Sequence, residues 1–401
     1  GWPESEGALF RTSDGGASWR RVGTGVITPV TRTSFISPKL GWAISERRIY
    51  STEDGGTRGT RQLRTEHRLR AIAFVDEKSG LAVGEGGIVY RTAEGGVPSM
   101  EQGQVLCAGS TCEDELLSTW DPVESGTTLA LTDIAFVDAS HFWIAGEGGL
   151  VLLSTDGGVA WKTVDTGIDS TLLSVSFANA NKGVVVGEDG TILVTTDGGI
   201  IWQRSDTGTS SRLNAVDFAD DSAVWAVGDG GTMLRSRDGG VTWAQIVFPT
   251  PLKSALRAVS FDGAVGVVVG AEGTVLTTND GGASWTRQEI LEARQGTATG
   301  EPVPTVRPLN GLAMRVNESG AVSAWATSDE TIWQWGLLGG DLGVSPRSGV
   351  SITSMVKKSL PNSAILAVVA FFVAVPTSLA AGVWVGIRPD TKLDRLLGQG
   401  V

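Results

Sequence analysis

"SRDGGVTW", Ser236 to Trp243, is the stretch on which the fold turns. Close copies start at Thr12 ("TSDGGASW"), Ser154 ("STDGGVAW"), Thr195 ("TTDGGIIW") and Thr278 ("TNDGGASW"). The acidic residue of the box recurs at Asp14, Asp54, Glu94, Asp156, Asp197, Asp238 and Asp280, at intervals of 40, 40, 62, 41, 41 and 42 residues. The long interval holds an insertion, 97–119, after which Trp120 restores the phase. Self-similarity at a period near 40 residues marks a repeat architecture.

Each unit reads alike. A short alternating strand opens it ("LNAVDF" from Leu213, "LRAVSF" from Leu256). An apolar run follows ("VWAVG" from Val224, "GVVVG" from Gly183), suited to a strand buried on both faces. Then come a Gly-rich acidic turn ("GDGG" from Gly228), a third strand ("TMLRS") and the box, whose Trp opens a fourth strand. Four strands per unit of this length is the pattern of a β-propeller blade.

The chemistry of the box is turn chemistry. Gly-Gly permits positive φ, the Asp carboxylate and the Ser/Thr hydroxyl bond loop amides, and Trp covers apolar area beneath. Asp14, Trp19, Asp156, Trp161, Asp197, Trp202, Asp238, Trp243, Asp280 and Trp285 are therefore read as structural. A catalytic acid needs one unique environment, which repeated copies on separate blades do not share. The chain opens at the end of a blade and closes with early strands that lack a box. Joining the two ends gives seven four-stranded antiparallel blades with one composite blade, and leaves no open sheet edge. Eight blades is the alternative, since both ends contain a third-strand segment. The expected organisation is a propeller over 1–336, a linker over 337–362, a transmembrane helix over 363–387 and a short tail over 388–401.

The box S/T-x-D-G-G-x-x-W is the Asp-box, or bacterial neuraminidase repeat. Its tandem use at this period, with "GWAVG"-like second strands, resembles the photosystem II stability/assembly factor family, over nearly all of residues 1–336. The resemblance implies a noncatalytic propeller on the luminal or periplasmic side that serves as accessory subunit in assembling an integral-membrane complex. It implies no cofactor. The apolar run 363–387 departs from the family pattern, in which members carry an N-terminal lipid or are soluble.

That run, "SAILAVVAFFVAVPTSLAAGVWVGI", contains no charged residue over 25 positions, and about 20 apolar residues span a bilayer. Lys and Arg near it balance at three per side (Arg347, Lys357 and Lys358 against Arg388, Lys392 and Arg395), so charge does not set its orientation. The resemblance places the propeller outside the cytoplasm and the tail inside. Cys107 and Cys112, with four residues between them, agree with that placement if they close a small disulfide; two free thiols is the alternative. The net charge of −12 disfavours nucleic acid.

Enzymatic readings find little support. Sialidases share the box but need a Tyr nucleophile and an Arg triad. The two tyrosines, Tyr50 and Tyr90, sit in third strands where packing accounts for them. A glycosidase or glycan-binding propeller is the competing class. Its carboxylates would be Glu85, Glu147, Glu188, Asp229 and Glu272, which repetition places one per blade. His67 and His141 are isolated and the cysteines lack a second pair, so no metal site is expected. No small-molecule substrate is indicated.

The second unit breaks the repeat. Arg47-Arg48 occupies its second-to-third turn, Gly59 replaces the box Trp, and Arg58, Arg61, Arg64, Arg68 and Arg70 crowd into 13 residues. Second-to-third turns and inter-blade connections emerge on one face of a propeller. Arg47, Arg48, Arg61, Arg64, Arg68 and Arg70 are thus expected to form a docking patch for an acidic partner segment, since Arg presents planar forks to carboxylates. A solvated loop is the alternative.

Overall fold

Leu213–Phe218 pairs antiparallel with Val224–Gly228, which pairs with Met233–Ser236, which pairs with Ala244–Gln245. The second strand is buried at all five positions, which is why its sequence runs apolar without alternation. The chain repeats this plan. In the computed structural model, which describes residues 8–14, 19–22, 30–96, 119–288, 291–293, 302–304, 308–316 and 322–328, six such sheets cover 32–64, 69–123, 131–164, 172–204, 213–245 and 256–288. We number them blades 1 to 6.

Blade 7 is composite. Gly311–Val316 and Val322–Ser328 supply its first two strands, and the N-terminal Ala8–Thr12 and Arg20–Val22 its third and fourth. Because Ala8–Thr12 takes the third place, the ring closes at seven blades. First strands of successive blades contact one another, and the first strand of blade 7 contacts that of blade 1. They are therefore the innermost strands and surround a central channel. Nearly all described residues belong to this one compact unit; a second unit, 293–302 with 333–401, lies almost wholly outside them.

Seven apolar clusters hold the ring together, each shared by two adjacent blades. Four of them contain a second-strand tryptophan. Trp42, Trp143, Trp225 and Trp325, in blades 1, 3, 5 and 7, are fully buried. Each stacks on the first-strand Phe of the next blade: Phe74, Phe177, Phe261 and Phe35. Three also donate Nε1–H across the interface to a box carbonyl: Trp42 to Gly95 (2.9 Å), Trp143 to Gly198 (2.8 Å) and Trp325 to Gly55 (3.2 Å). The box glycines permit this approach. A Cβ on Gly282, at φ +77°, would come within 2.0 Å of the Trp225 ring.

The box side chains are bound into their own turns. Ser236 Oγ donates to Asp238 Oδ1 (2.7 Å) and accepts from Gly240 N–H (2.8 Å), while Asp238 accepts from the Thr242 N–H (2.9 Å) and its hydroxyl (2.5 Å). Asp156, Asp197 and Asp280 are held in the same way, and Asp14 accepts from the Thr12 hydroxyl at 2.6 Å. The box tryptophans are covered unevenly: Trp19 and Trp202 are buried, Trp161, Trp243 and Trp285 only half-buried. Among the described residues no helix is long and apolar enough to cross a membrane. The run 363–387, the tail and Cys107 and Cys112 lie outside the described residues.

Candidate functional site

In blades 2 to 6 the pairing of first and second strands slips by one residue just after the leading Leu, between Leu69/Ala71, Leu131/Asp133, Leu172/Ser174, Leu213/Ala215 and Leu256/Ala258. A β-bulge leaves the extra residue unpaired and re-aims its side chain. The residues so displaced are Arg70, Thr132, Leu173, Asn214 and Arg257, and all five line one cavity of about 660 Å³. Arg32, Arg68, Glu85, Arg212, Asp229 and Asn310 complete most of its wall. First strands begin here and second-to-third turns emerge here, so the cavity is the mouth of the central channel on that face. Every blade, or the residue leading into it, contributes.

Five guanidinium groups, of Arg32, Arg68, Arg70, Arg212 and Arg257, face the mouth against two carboxylates, on a chain whose net charge is −12. The carboxylates are engaged. Arg70 lies 3.3 Å from Glu85 and 3.6 Å from Glu147. Asn214 Nδ2 donates to Asp229 (2.9 Å) and to the Leu256 carbonyl (2.8 Å). Arg32 Nη1 donates to the carbonyls of Thr31 (3.1 Å) and Asn310 (2.9 Å), and Arg257 donates to the Asn310 side chain. Arg68 and Arg212 are exposed and make no ion pair with another described residue. Their backbones are fixed all the same: the Arg68 carbonyl accepts from Glu85 N–H and that of Arg212 from Asp229 N–H, both at 2.9 Å. Two guanidiniums thus stand on rigid backbone, open to an incoming anion.

The arginines anticipated from the second unit divide between places. Arg68 and Arg70 line the mouth. Arg47 sits beside it in a two-residue turn, Glu46-Arg47, with Glu46 at φ +51°. Arg48 is not in that turn, contrary to expectation: the hairpin is shorter than in other blades, and Arg48 opens the third strand opposite Arg64. Arg61 lies further down the outer edge, opposite Tyr50. Arg32, at the start of blade 1, Arg212, leading into blade 5, and Arg257, in blade 6, escaped the sequence reading. The expected ring of turn acids is also interrupted. Ala271 stands where blades 2 to 5 carry the acid, and Glu272 falls one residue later, at φ +54°, bonded to the Ser254 hydroxyl (2.7 Å).

Further along the channel-lining strands, Asp133 and Asp217 tie neighbouring blades together. Asp133 accepts from Ser174 Oγ (2.8 Å) and Val175 N–H (3.1 Å) of blade 4. Asp217 accepts from Ser176 Oγ (3.0 Å) of blade 4 and Phe261 N–H (2.8 Å) of blade 6. Burial raises the Asp133 carboxyl and pushes Asp217 up to about 6, against the pull of these hydrogen bonds. Among the described residues no three His, Cys, Asp or Glu side chains converge as metal ligands.

Comparison with known proteins fits this architecture. The family described as photosynthesis system II assembly factor Ycf48 matches residues 112–204, 159–247 and 200–336, together more than half of the chain. The chain belongs to this family. Photosystem II assembly lipoproteins Ycf48 from Trichormus variabilis and from Nostoc sp. are 28% and 27% identical over 157 residues. Those matches span 38% of this chain and 40% of the relatives' length. Among solved structures, Ycf48 bound to D1 peptide superposes with a TM-score of 0.53 at 15% identity, covering 81% of this chain and 96% of that one. Ycf48 from Cyanidioschyzon merolae gives 0.55 at 16% identity, covering 77% and 98%. An ancestral GH74 enzyme gives 0.57 at 16% identity, covering 80% of this chain and 45% of that one. At such identities these structures share the fold.

Proposed function

We propose that this chain is a noncatalytic assembly scaffold that docks an acidic protein segment in the arginine-lined mouth and so holds a subunit of an integral-membrane complex. The observation that carries the reading is the concentration of five guanidiniums, two of them without an ion-pair partner among the described residues, in one cavity of an acidic protein. An acidic segment is repelled by most of the surface and attracted here, which fixes orientation as well as affinity. Family membership makes photosystem II the first complex to test, and a related propeller is known bound to D1 peptide. The segment 363–387 anchors the chain in the same membrane, with the propeller on the luminal or periplasmic side, a side in keeping with relatives named lipoproteins. Arg47, Arg48 and Arg64 extend the patch along the rim beside Arg68 and Arg70. Glu85, Glu147 and Asp229 are occupied by Arg70 and Asn214, which speaks against a pair of working glycosidase carboxylates. The test is purification of the full chain from membranes in mild detergent. Recovery of a membrane-protein partner that dissociates with salt supports the proposal; retention on glycans with no such partner overturns it.

A further inference from the structure

The mouth leaves the opposite end of the blades unassigned. Six large hydrophobic side chains are exposed among the described residues, and four of them occupy the two positions between Gly-Gly and Trp of the box. They are Val159 (57% exposed), Ile200 (59%), Ile201 (60%) and Val241 (57%). They fall on three consecutive blades, 3, 4 and 5. The corresponding residues are Thr57 and Arg58 in blade 1 and Ala283 and Ser284 in blade 6.

The turn does not require aliphatics there. In blades 3 and 4 these positions serve the box through backbone: Val159 and Ala160 N–H donate to Asp156, and Ile200 and Ile201 N–H donate to Asp197. Polar residues keep those amides in place, as Arg58 in blade 1 and Ser284 in blade 6 do, and the hydroxyls of Thr242 and Ser284 add a second bond to the box carboxylate that the aliphatics forgo. The box follows the third strand, which leaves the mouth, so all four aliphatics stand at turn apices on the far face. Separate apolar tips along one arc of a rim match no groove. They match a flat, fluid apolar phase into which each tip sinks a short way, as interfacial apolar side chains do.

The chain supplies the reason such a phase is near. If residues 363–387 span a bilayer, the 34 residues from 329 to 362 tether the propeller to it. A stretch of 34 residues has an extended limit of about 110–120 Å, enough for either face to meet the lipid. Asp138, Asp220 and Asp221 lie in exposed first-to-second turns of the same blades, so an anionic surface is disfavoured and a neutral one suits.

We infer that the box apices of blades 3 to 5, Val159, Ile200, Ile201 and Val241, rest on the neutral lipid surface of the membrane that anchors the chain, which turns the arginine-lined mouth toward the aqueous side. The inference rests on the reading of 363–387 as a membrane span.

The test uses the full chain, with Cys107→Ser and Cys112→Ser, reconstituted in phosphatidylcholine vesicles containing a headgroup nitroxide lipid. A fluorophore is attached at Ala160→Cys beside the apices, or at Lys253→Cys in an exposed connection on the mouth face. The expected result is loss of fluorescence at 160 and not at 253, unchanged by salt, and abolished by Ile200→Ser/Ile201→Ser/Val241→Ser with the thermal transition preserved. Co-flotation with equal quenching at both positions, or quenching at 160 that survives the serine substitutions, overturns the inference alone. Protein that fails to float with the vesicles overturns the span and the inference with it.

Discussion

The indole of Trp143 in blade 3 lies on the ring of Phe177 in blade 4, with centroids 3.6 Å apart and planes 12° from parallel, and its N–H reaches the Gly198 carbonyl at 2.8 Å. The Phe177 ring in turn meets Trp202, the box Trp of its own blade, edge-on. One interface therefore couples a second strand, a first strand and a box through stacked and T-shaped contacts, each of which adds to simple area burial. Phe74 repeats the arrangement with Trp42 and Trp120, and Phe261 with Trp225 and Trp285.

This ranks the tryptophans. Trp143→Ala empties a fully buried site between blades and should cost about 3–5 kcal/mol. Trp243 is half-buried, so Trp243→Ala should cost less, about 1–3 kcal/mol. Trp143→Phe retains a stacking ring and loses one hydrogen bond, for about 1 kcal/mol. Denaturant midpoints of the three variants check the order. A larger loss for Trp243→Ala than for Trp143→Ala would show that the box, not the aromatic interface, dominates blade cohesion.

Asp238 organises its turn from the surface. Asp238→Ala leaves the Thr242 and Ser236 groups to water, at about 1–2 kcal/mol, because the turn is solvated and the amides are rehydrated in part. Partial desolvation raises this carboxyl, but the Thr242 hydroxyl and N–H and the Ser236 hydroxyl outweigh it and bring it down to about 2. A lowered folded value means stability that is present above the unfolded value near 3.8 and lost as pH falls toward 2. Melting curves between those limits should fall more steeply for the wild type than for Asp238→Ala. Parallel curves would remove the carboxylate from the account of the turn.

Asp217 works in the other direction. Burial raises it to about 6, so the folded state holds this proton where the unfolded chain has released it. Its contribution is complete below the unfolded value near 3.8 and declines as pH rises through about 6. A rise from 3.8 to about 6 corresponds to at most about 3 kcal/mol, and channel water reduces that. Asp217→Asn should therefore flatten the dependence of the melting temperature on pH between 4 and 7. An unchanged slope in that range would assign the effect to another group, Asp133 first.

How much of this was open to reading in the sequence depends on where the information sits. The blade plan is periodic, and every unit restates it, so strand order, the composite seventh blade and the turn role of the box follow from spacing. The interface tryptophans carried a weaker sign, "GW", "FW" and "VW" at Trp42, Trp143 and Trp225 in alternate blades. Their partners, Phe74, Phe177 and Phe261, lie in the next unit, and no single unit shows the pair. The mouth was half visible. Arg68 and Arg70 belong to a dense local run, whereas Arg32, Arg212 and Arg257 are isolated in the chain and are gathered by closure of the ring. The bulges that aim Arg70 and Arg257 inward are registry events, and registry depends on hydrogen bonding between strands that composition does not record.

The mouth yields the prediction on which the proposed function rests most directly. Arg68 and Arg212 come from blades 2 and 5, stand exposed in one cavity and make no ion pair with another described residue. A docked acidic segment places carboxylates between them. Each partly exposed pair contributes on the order of 1 kcal/mol, and a desolvated one about 2–5 kcal/mol. Arg68→Glu/Arg212→Glu should therefore weaken binding of a dye-labelled Asp/Glu-rich peptide at least tenfold, where about 1.4 kcal/mol is one factor of ten. The wild-type affinity should fall with added salt, since charges at a solvated mouth are screened within about 8 Å at physiological ionic strength. Arg61→Glu is the comparison, because it changes net charge by the same two units per site on the outer edge of blade 1, away from the cavity. Anisotropy titrations of the full chain over a salt series separate the cases. Equal weakening by Arg61→Glu would mean that the peptide responds to total charge alone, and affinity that ignores both substitutions would move the docking site off this face.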